Sequence, residues 1–203
     1  MTTIVYKKDY PAPPIDRREA LRYVGVRGDA PELASLLEWC IEEAAPHLSY
    51  KLCYAYYPLT RVNFSLDLGF TRVESRALAE HLEGCSHVVV MAATLGSAYD
   101  RLLAKAAKVS PTRALLLDGL GAERIEALCD LFCEEEGERQ EAVGAGLTRR
   151  FSAGYGDLPL GLQASIFGAL DCGRSIGLTL NESMLMSPQK SVTAIIGIKK
   201  VKK

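Results

Sequence analysis

No stretch of this sequence approaches the ~20 consecutive apolar residues that a membrane-crossing helix needs. The opening Met1-Thr-Thr-Ile-Val-Tyr-Lys-Lys has neither a long apolar region nor a small-residue cleavage site. A secretory leader is therefore not expected, and the reading is of a cytoplasmic protein with no membrane partner. Excess charge of one sign is also missing. The 24 basic and 25 acidic residues leave a formal charge of −1, which gives no electrostatic reason to expect a nucleic acid. Histidine is scarce: only His47, His81 and His87, scattered along the chain. The six cysteines, at 40, 53, 85, 129, 133 and 172, include no Cys-x-x-Cys pair. Zinc and iron–sulfur sites need clustered ligands, so no metal site is expected, and the cysteines read as reduced thiols packed as small hydrophobes. There is no P-loop, no Gly-x-Ser-x-Gly elbow and no His-Glu-x-x-His. Their absence disfavours the hydrolase and nucleotide-binding designs that those motifs mark.

What is present is an ordinary globular composition, 48% hydrophobic and 24% charged over 203 residues. That fits a single domain spanning 1–203. Tyr10-Pro-Ala-Pro-Pro14 makes residues 1–14 an extended N-terminal segment, because proline disfavours helix in the residue before it. Ile15 to Tyr23 reads as a short helix ended by Gly25 and Gly28, and Asp29 with Pro31 opens the next. Leu33, Leu36, Leu37, Cys40, Ile41 and Ala44 then repeat at helical spacing. Leu52, Tyr54 and Tyr56 alternate, as do Val62, Phe64, Leu66 and Leu68; together they read as a hairpin. Val73 to Leu82 reads as helix.

His87 to Ala93 is a continuous apolar run, the mark of a buried strand. A helix is expected from Leu95 to Lys108. Ser110-Pro111 opens another, with Leu117, Gly121, Ile125, Leu128 and Phe132 on one face and a solvated charge run, Glu134 to Arg139, at its end. Pro159 stands near the start of a helix that carries Leu162, Ile166, Phe167 and Leu170 and ends at Gly173. Ser191 to Ile198 is the last strand, followed by a lysine tail. Helices and strands mix without a regular βαβ alternation, which predicts an α+β fold: a mainly antiparallel twisted sheet with helices packed on it.

Two segments could carry chemistry. Asp118-Gly-Leu-Gly-Ala-Glu123 lacks the third glycine of the dinucleotide fingerprint and lies within a helix pattern rather than after a strand, so it does not read as a cofactor turn. The richer segment runs from Arg149 to Ile198. Within it, Arg150 offers donors to a carboxylate, Gly154 and Gly156 permit close backbone approach, and Tyr155 offers a stacking face and a hydroxyl. The alternative reading of this segment is a turn with a surface arginine.

Arg150-x-x-x-Gly154-Tyr155, followed by Pro159 and then by Asn181-Glu-Ser-Met-Leu-Met186-x-Pro188-x-x-Ser191-Val192, resembles the reactivation domain of cobalamin-dependent methionine synthase in both order and spacing. The resemblance covers about fifty residues closely and the rest of the chain loosely. Leu116 to Asp118 and Ile125 to Ala127 are similar to the preceding helix of standalone relatives. The resemblance implies a groove for S-adenosylmethionine, held by Arg150, Ala153, Gly154 and Tyr155, with Glu126 at the ligand ammonium. Tyr155 would stand at the transferred methyl and act in catalysis. Met184 and Met186 are expected in the core, and Lys190 is given no role.

The corrinoid-site Asp-x-His-x-x-Gly signature is absent. The cobalamin would therefore belong to a separate corrinoid-binding methyltransferase, most simply a methionine synthase without this domain. A flavodoxin or ferredoxin-type donor would supply the electron, and no turnover is expected from the isolated chain. Two alternatives stay open: an activator of another corrinoid-dependent methyltransferase system, and a non-catalytic module that binds a corrinoid protein.

Overall fold

The computed structural model describes residues 3–26 and 30–200. Three long strands form the heart of the molecule. Strand β2 (Lys51–Pro58), β6 (Cys85–Thr94) and β10 (Ser191–Lys200) are joined by β1 (Tyr6–Asp9) and β7 (Ala145–Leu147) in an antiparallel sheet ordered β1-β2-β6-β10-β7. Val88 to Ala93 are fully buried on both sides of the sheet, which explains why β6 reads as an unbroken apolar run rather than an alternation. Alternate residues serve opposite layers. Cys53, Ala55, Val88, Val90 and Ile195 face one core, while Leu52, Val89, Met91, Ala194 and Ile196 face the other.

The second of these layers is covered by α5 (Pro111–Glu141), a helix of 31 residues. Pro111 occupies its first turn, and the Ser110 hydroxyl caps it by accepting from the Arg113 amide at 3.4 Å. Ile125, Leu128, Cys129 and Phe132 press onto the sheet. Each large side chain buried in this way contributes about 1.5–3 kcal/mol. On its outer side α5 carries α1 (Arg17–Tyr23), α2 (Pro31–Ala44) and α4 (Ser97–Val109). The two glycines of the Asp118-Gly-Leu-Gly motif explain themselves here. A Cβ at Gly119 would lie 2.7 Å from the Ala20 carbonyl oxygen on α1, and one at Gly121 would lie 2.5 Å from the Tyr99 ring on α4. Both are gaps for helix packing.

The other face of the sheet is covered by α3 (Arg76–His81), α6 (Leu162–Leu170) and α7 (Cys172–Ile176). A small sheet of β3 (Thr60–Val62), β4 (Ser65–Asp67) and β5 (Arg72–Glu74) lies beside them, and β8 (Thr179–Leu180) pairs with β9 (Met186–Ser187). Among the described residues no helix is long and apolar enough to cross a membrane. All six cysteines are free thiols, and Cys40, Cys53, Cys129 and Cys172 are buried.

The α+β architecture agrees with the sequence pattern, but several local readings need correction. The expected hairpin does not form: β2 pairs with β1 and β6, while the residues after Pro58 build the separate small sheet. Val73 lies in β5, and the helix begins only after Ser75, whose hydroxyl accepts from the Leu78 amide. The helix from Pro159 ends at the left-handed Asp171 rather than at Gly173, which lies inside α7. The last strand continues through Lys199 and Lys200. The charge run at the end of α5 is not wholly solvated: Glu136 is 1% exposed and is bonded by Tyr56, Arg139 and Gln140 at 2.7–2.9 Å. Gly28 and Asp29, read as a helix stop and a helix start, lie outside the described residues.

Candidate functional site

The segment after β7 continues along the edge of β10 on which β7 pairs. Phe151 forms a bridge with Ile195, with amide-to-carbonyl distances of 2.8 and 2.9 Å, and the Ser152 hydroxyl donates to the Thr193 carbonyl at 2.7 Å. These bonds fix the direction of Arg150. Its Nη2 reaches two carboxylates of α5, Glu126 at 2.8 Å and Asp130 at 2.7 Å. The two carboxylates are four residues apart and so share a helix face. Burial works against the charge on Arg150. Cys129, Glu126 and Asp130 around it more than offset that, and the guanidinium is held firmly protonated. Among the described residues, the donors on Nε and Nη1 have no oxygen partner.

Beyond Arg150 the chain turns tightly. Gly154 has φ +91°, and its amide donates to the Leu158 carbonyl at 3.0 Å, so this amide is spent within the loop. Ala153 is buried, and its amide has no acceptor among the described residues. Gly156 also has positive φ, and a Cβ there would lie 2.9 Å from that of Ala77. Asp157 then ties the turn to α3. Its carboxylate accepts from the Ser75 hydroxyl at 2.5 Å and from the Arg76 and Ala77 amides at 2.7 and 3.1 Å. The Ser75 bond, followed by the two amides, holds this carboxyl below its ordinary range. Tyr155 is left 68% exposed, with its ring edge-on to Phe151 at 6.3 Å.

These elements enclose a cleft of about 790 Å³, within the usual range of about 300–1,000 Å³ for small-molecule sites. Glu126, Arg150, Ala153 and Tyr155 line it, four of the five residues the sequence singles out. Gly154 does not line it but shapes the turn beneath it. The sequence reading did not select Asp130, Cys133, Gln163, Met186 or Thr193 as site residues, yet these line the cleft too. Met186, expected in the core, packs on the core and also forms part of the cleft wall. Burial raises the Cys133 thiol to about 11, although Arg150 draws it partly back. Lys190, which carried no sequence signal, reaches Asp118 of α5 at 2.8 Å outside the cleft. Asp130 could have been found from its position one turn after Glu126. A lone amide such as Gln163, in a mostly apolar helix, gives no such signal.

No protein-family model matches the chain, and no curated protein matches it by sequence. Among solved structures it is similar in fold to one described as the MetH reactivation domain bound to AdoHcy. The TM-score is 0.71 at 18% identity, over 98% of this chain and 79% of that one. The similarity shows a shared α+β fold.

Proposed function

We propose that the chain binds S-adenosylmethionine in this cleft. In this reading it acts as a cytoplasmic reactivation module for a separate corrinoid-binding methyltransferase, most simply a methionine synthase lacking such a domain. The observation that carries the reading is Arg150, half-buried and bonded to two carboxylates in a cleft of ligand size, within the fold of a domain solved with AdoHcy. The ligand has a carboxylate, an ammonium and a sulfonium, and the cleft has a complement for each kind of charge. Arg150 offers its remaining N–H donors to the carboxylate. Glu126 and Asp130 offer acceptors to the ammonium, and the Ala153 amide offers a second donor. Tyr155 stands at the mouth, where a partner carrying cobalamin would dock over the sulfonium methyl.

The partner's cobalamin supplies the methyl acceptor. On such a partner the inert cob(II) form would receive one electron from a flavodoxin or ferredoxin-type donor and the methyl group from S-adenosylmethionine, leaving S-adenosylhomocysteine. The chain's own contribution is to bind and orient the methyl donor, which removes orientational freedom from the transfer. Without the partner there is no acceptor, so the isolated protein binds ligand and turns nothing over.

Calorimetric titration with S-adenosylmethionine tests the reading. A charge-assisted hydrogen bond contributes about 1.5–3 kcal/mol, so Arg150→Ala should weaken binding about 10–150-fold. Arg150→Lys should recover only part of that, since lysine lacks the planar donor array. No binding by the wild type, or unchanged affinity in folded Arg150→Ala, would refute the assignment.

A further inference from the structure

Gln163 lies in the first turn of α6, is only 7% exposed and forms part of the cleft wall. Its Oε1 is buried and has no hydrogen-bond partner among the described residues. An unpartnered buried carbonyl is costly, and native proteins keep few of them. The two helices that contribute to the cleft pack on opposite faces of the sheet, α5 on one and α6 on the other. Gln163 therefore reaches the cleft from a different layer than Glu126 and Asp130, and the same cleft wall includes the uncharged Met186 and Thr193.

Arg150, Glu126 and Asp130 already complement the ligand's carboxylate and ammonium, which leaves the Gln163 amide for an uncharged polar group. A carboxylate would engage only its N–H groups and leave Oε1 unpartnered, and an ammonium would engage only Oε1. The amide presents one acceptor and one donor side by side in a plane. Its complement is a flat group with an adjacent donor and acceptor, as on the amino edge of adenine, which glutamine pairs in this way in nucleic-acid recognition. We propose that Gln163 is the base-specificity residue of this cleft, accepting from the 6-amino group of adenine through Oε1 and donating through Nε2 to the neighbouring ring nitrogen. This rests on the S-adenosylmethionine reading above and adds to it a residue that selects the nucleobase.

The test titrates wild type and Gln163→Leu with S-adenosylhomocysteine and with its analogue lacking the 6-amino group. Gln163→Leu should weaken S-adenosylhomocysteine about tenfold or more, while the analogue, which keeps only the ring-nitrogen bond, should lose clearly less. Because the substitution removes a stranded amide, the thermal midpoint of the ligand-free protein should not fall. Gln163→Met serves the same comparison if the leucine variant does not fold. Equal affinity of wild type and variant for S-adenosylhomocysteine would overturn the role of Gln163, as would an equal loss for both ligands. If Arg150→Ala loses affinity and Gln163→Leu does not, only this inference falls. If the wild type binds neither ligand, the reading beneath it falls as well.

Discussion

Arg124 is the side chain whose loss should cost the fold most. It is fully buried on α5 beside Glu123, which is 4% exposed. Its Nε donates to Glu123 Oε2 at 2.5 Å and its Nη2 to Glu123 Oε1. Nη1 and Nη2 also donate, at 2.6 Å each, to the carbonyls of Pro13 and Pro14, and the Asp16 amide donates to Glu123 Oε1 at 3.0 Å. One buried ion pair thus fastens the N-terminal segment to the helix that carries Glu126 and Asp130. Arg124→Leu would leave a buried carboxylate with a single backbone donor and strand two carbonyls. Removing one partner of a buried pair costs about 3–5 kcal/mol, and the stranded carbonyls belong to the same network, so their cost is not simply added. Against a typical total of about 5–15 kcal/mol, that is a large fraction. With an m value of about 2 kcal/mol/M in urea, the unfolding midpoint should fall by about 1.5–2.5 M. Glu123→Leu combined with Arg124→Leu removes the orphaned charge and should recover part of the loss. A loss below about 1 kcal/mol in the single variant, or a double variant no more stable than the single, would refute this account.

Two further outcomes are expected. Asp157 has a lowered carboxyl pKa in the fold, so its stabilisation is complete above the unfolded value near about 4 and is lost as the pH falls through the lower folded value. Asp157→Asn should therefore flatten the acid limb of the stability–pH curve below about pH 4 and leave its slope above pH 5 unchanged; identical acid limbs in urea melts would contradict this. The Cys133 thiol, raised to about 11 by burial, should alkylate slowly with iodoacetamide at pH 8 and faster as the pH climbs toward that value. Peptide mapping that finds the rate of an ordinary thiol of pKa about 8.5 would show the environment of Cys133 to be misread.

The parts of the fold legible in the sequence are those whose neighbours are local or whose burial is complete. Ser110-Pro111 marks the start of α5, and the apolar run at 87–93 marks β6, because a helix cap and a doubly buried strand each leave a direct compositional trace. The partners of β2 leave none. It is buried on both faces, so its sequence shows that it is central but not that its neighbours are β1 and β6. Strand β5 has a single half-buried apolar residue, Val73, and merges in sequence with the helix that follows. Glu123 and Glu136 look like solvated helix residues until the proline segment folds over one and Tyr56 reaches the other. At the candidate site, Arg150 and Tyr155 stand out through the motif they share with Gly154. Gln163 does not, because its importance lies in a bond it fails to make.

The central place of β10 has a consequence for how the protein is made. Ser191 pairs with Thr94, 97 residues earlier, and β10 follows every other described element in the chain. Until it emerges during synthesis, at about 5–20 residues per second, one edge of β6 has no partner, and Val88 to Ala93 are the kind of short, uncharged β-prone segment that draws other chains. The same strand supplies Ser191, Val192 and Thr193 to the cleft and holds the Arg150 loop through Thr193 and Ile195. Polypeptides released before residue 191 would therefore carry Glu126, Arg150 and Tyr155 without an assembled cleft around them, and would enter the cell as sticky intermediates.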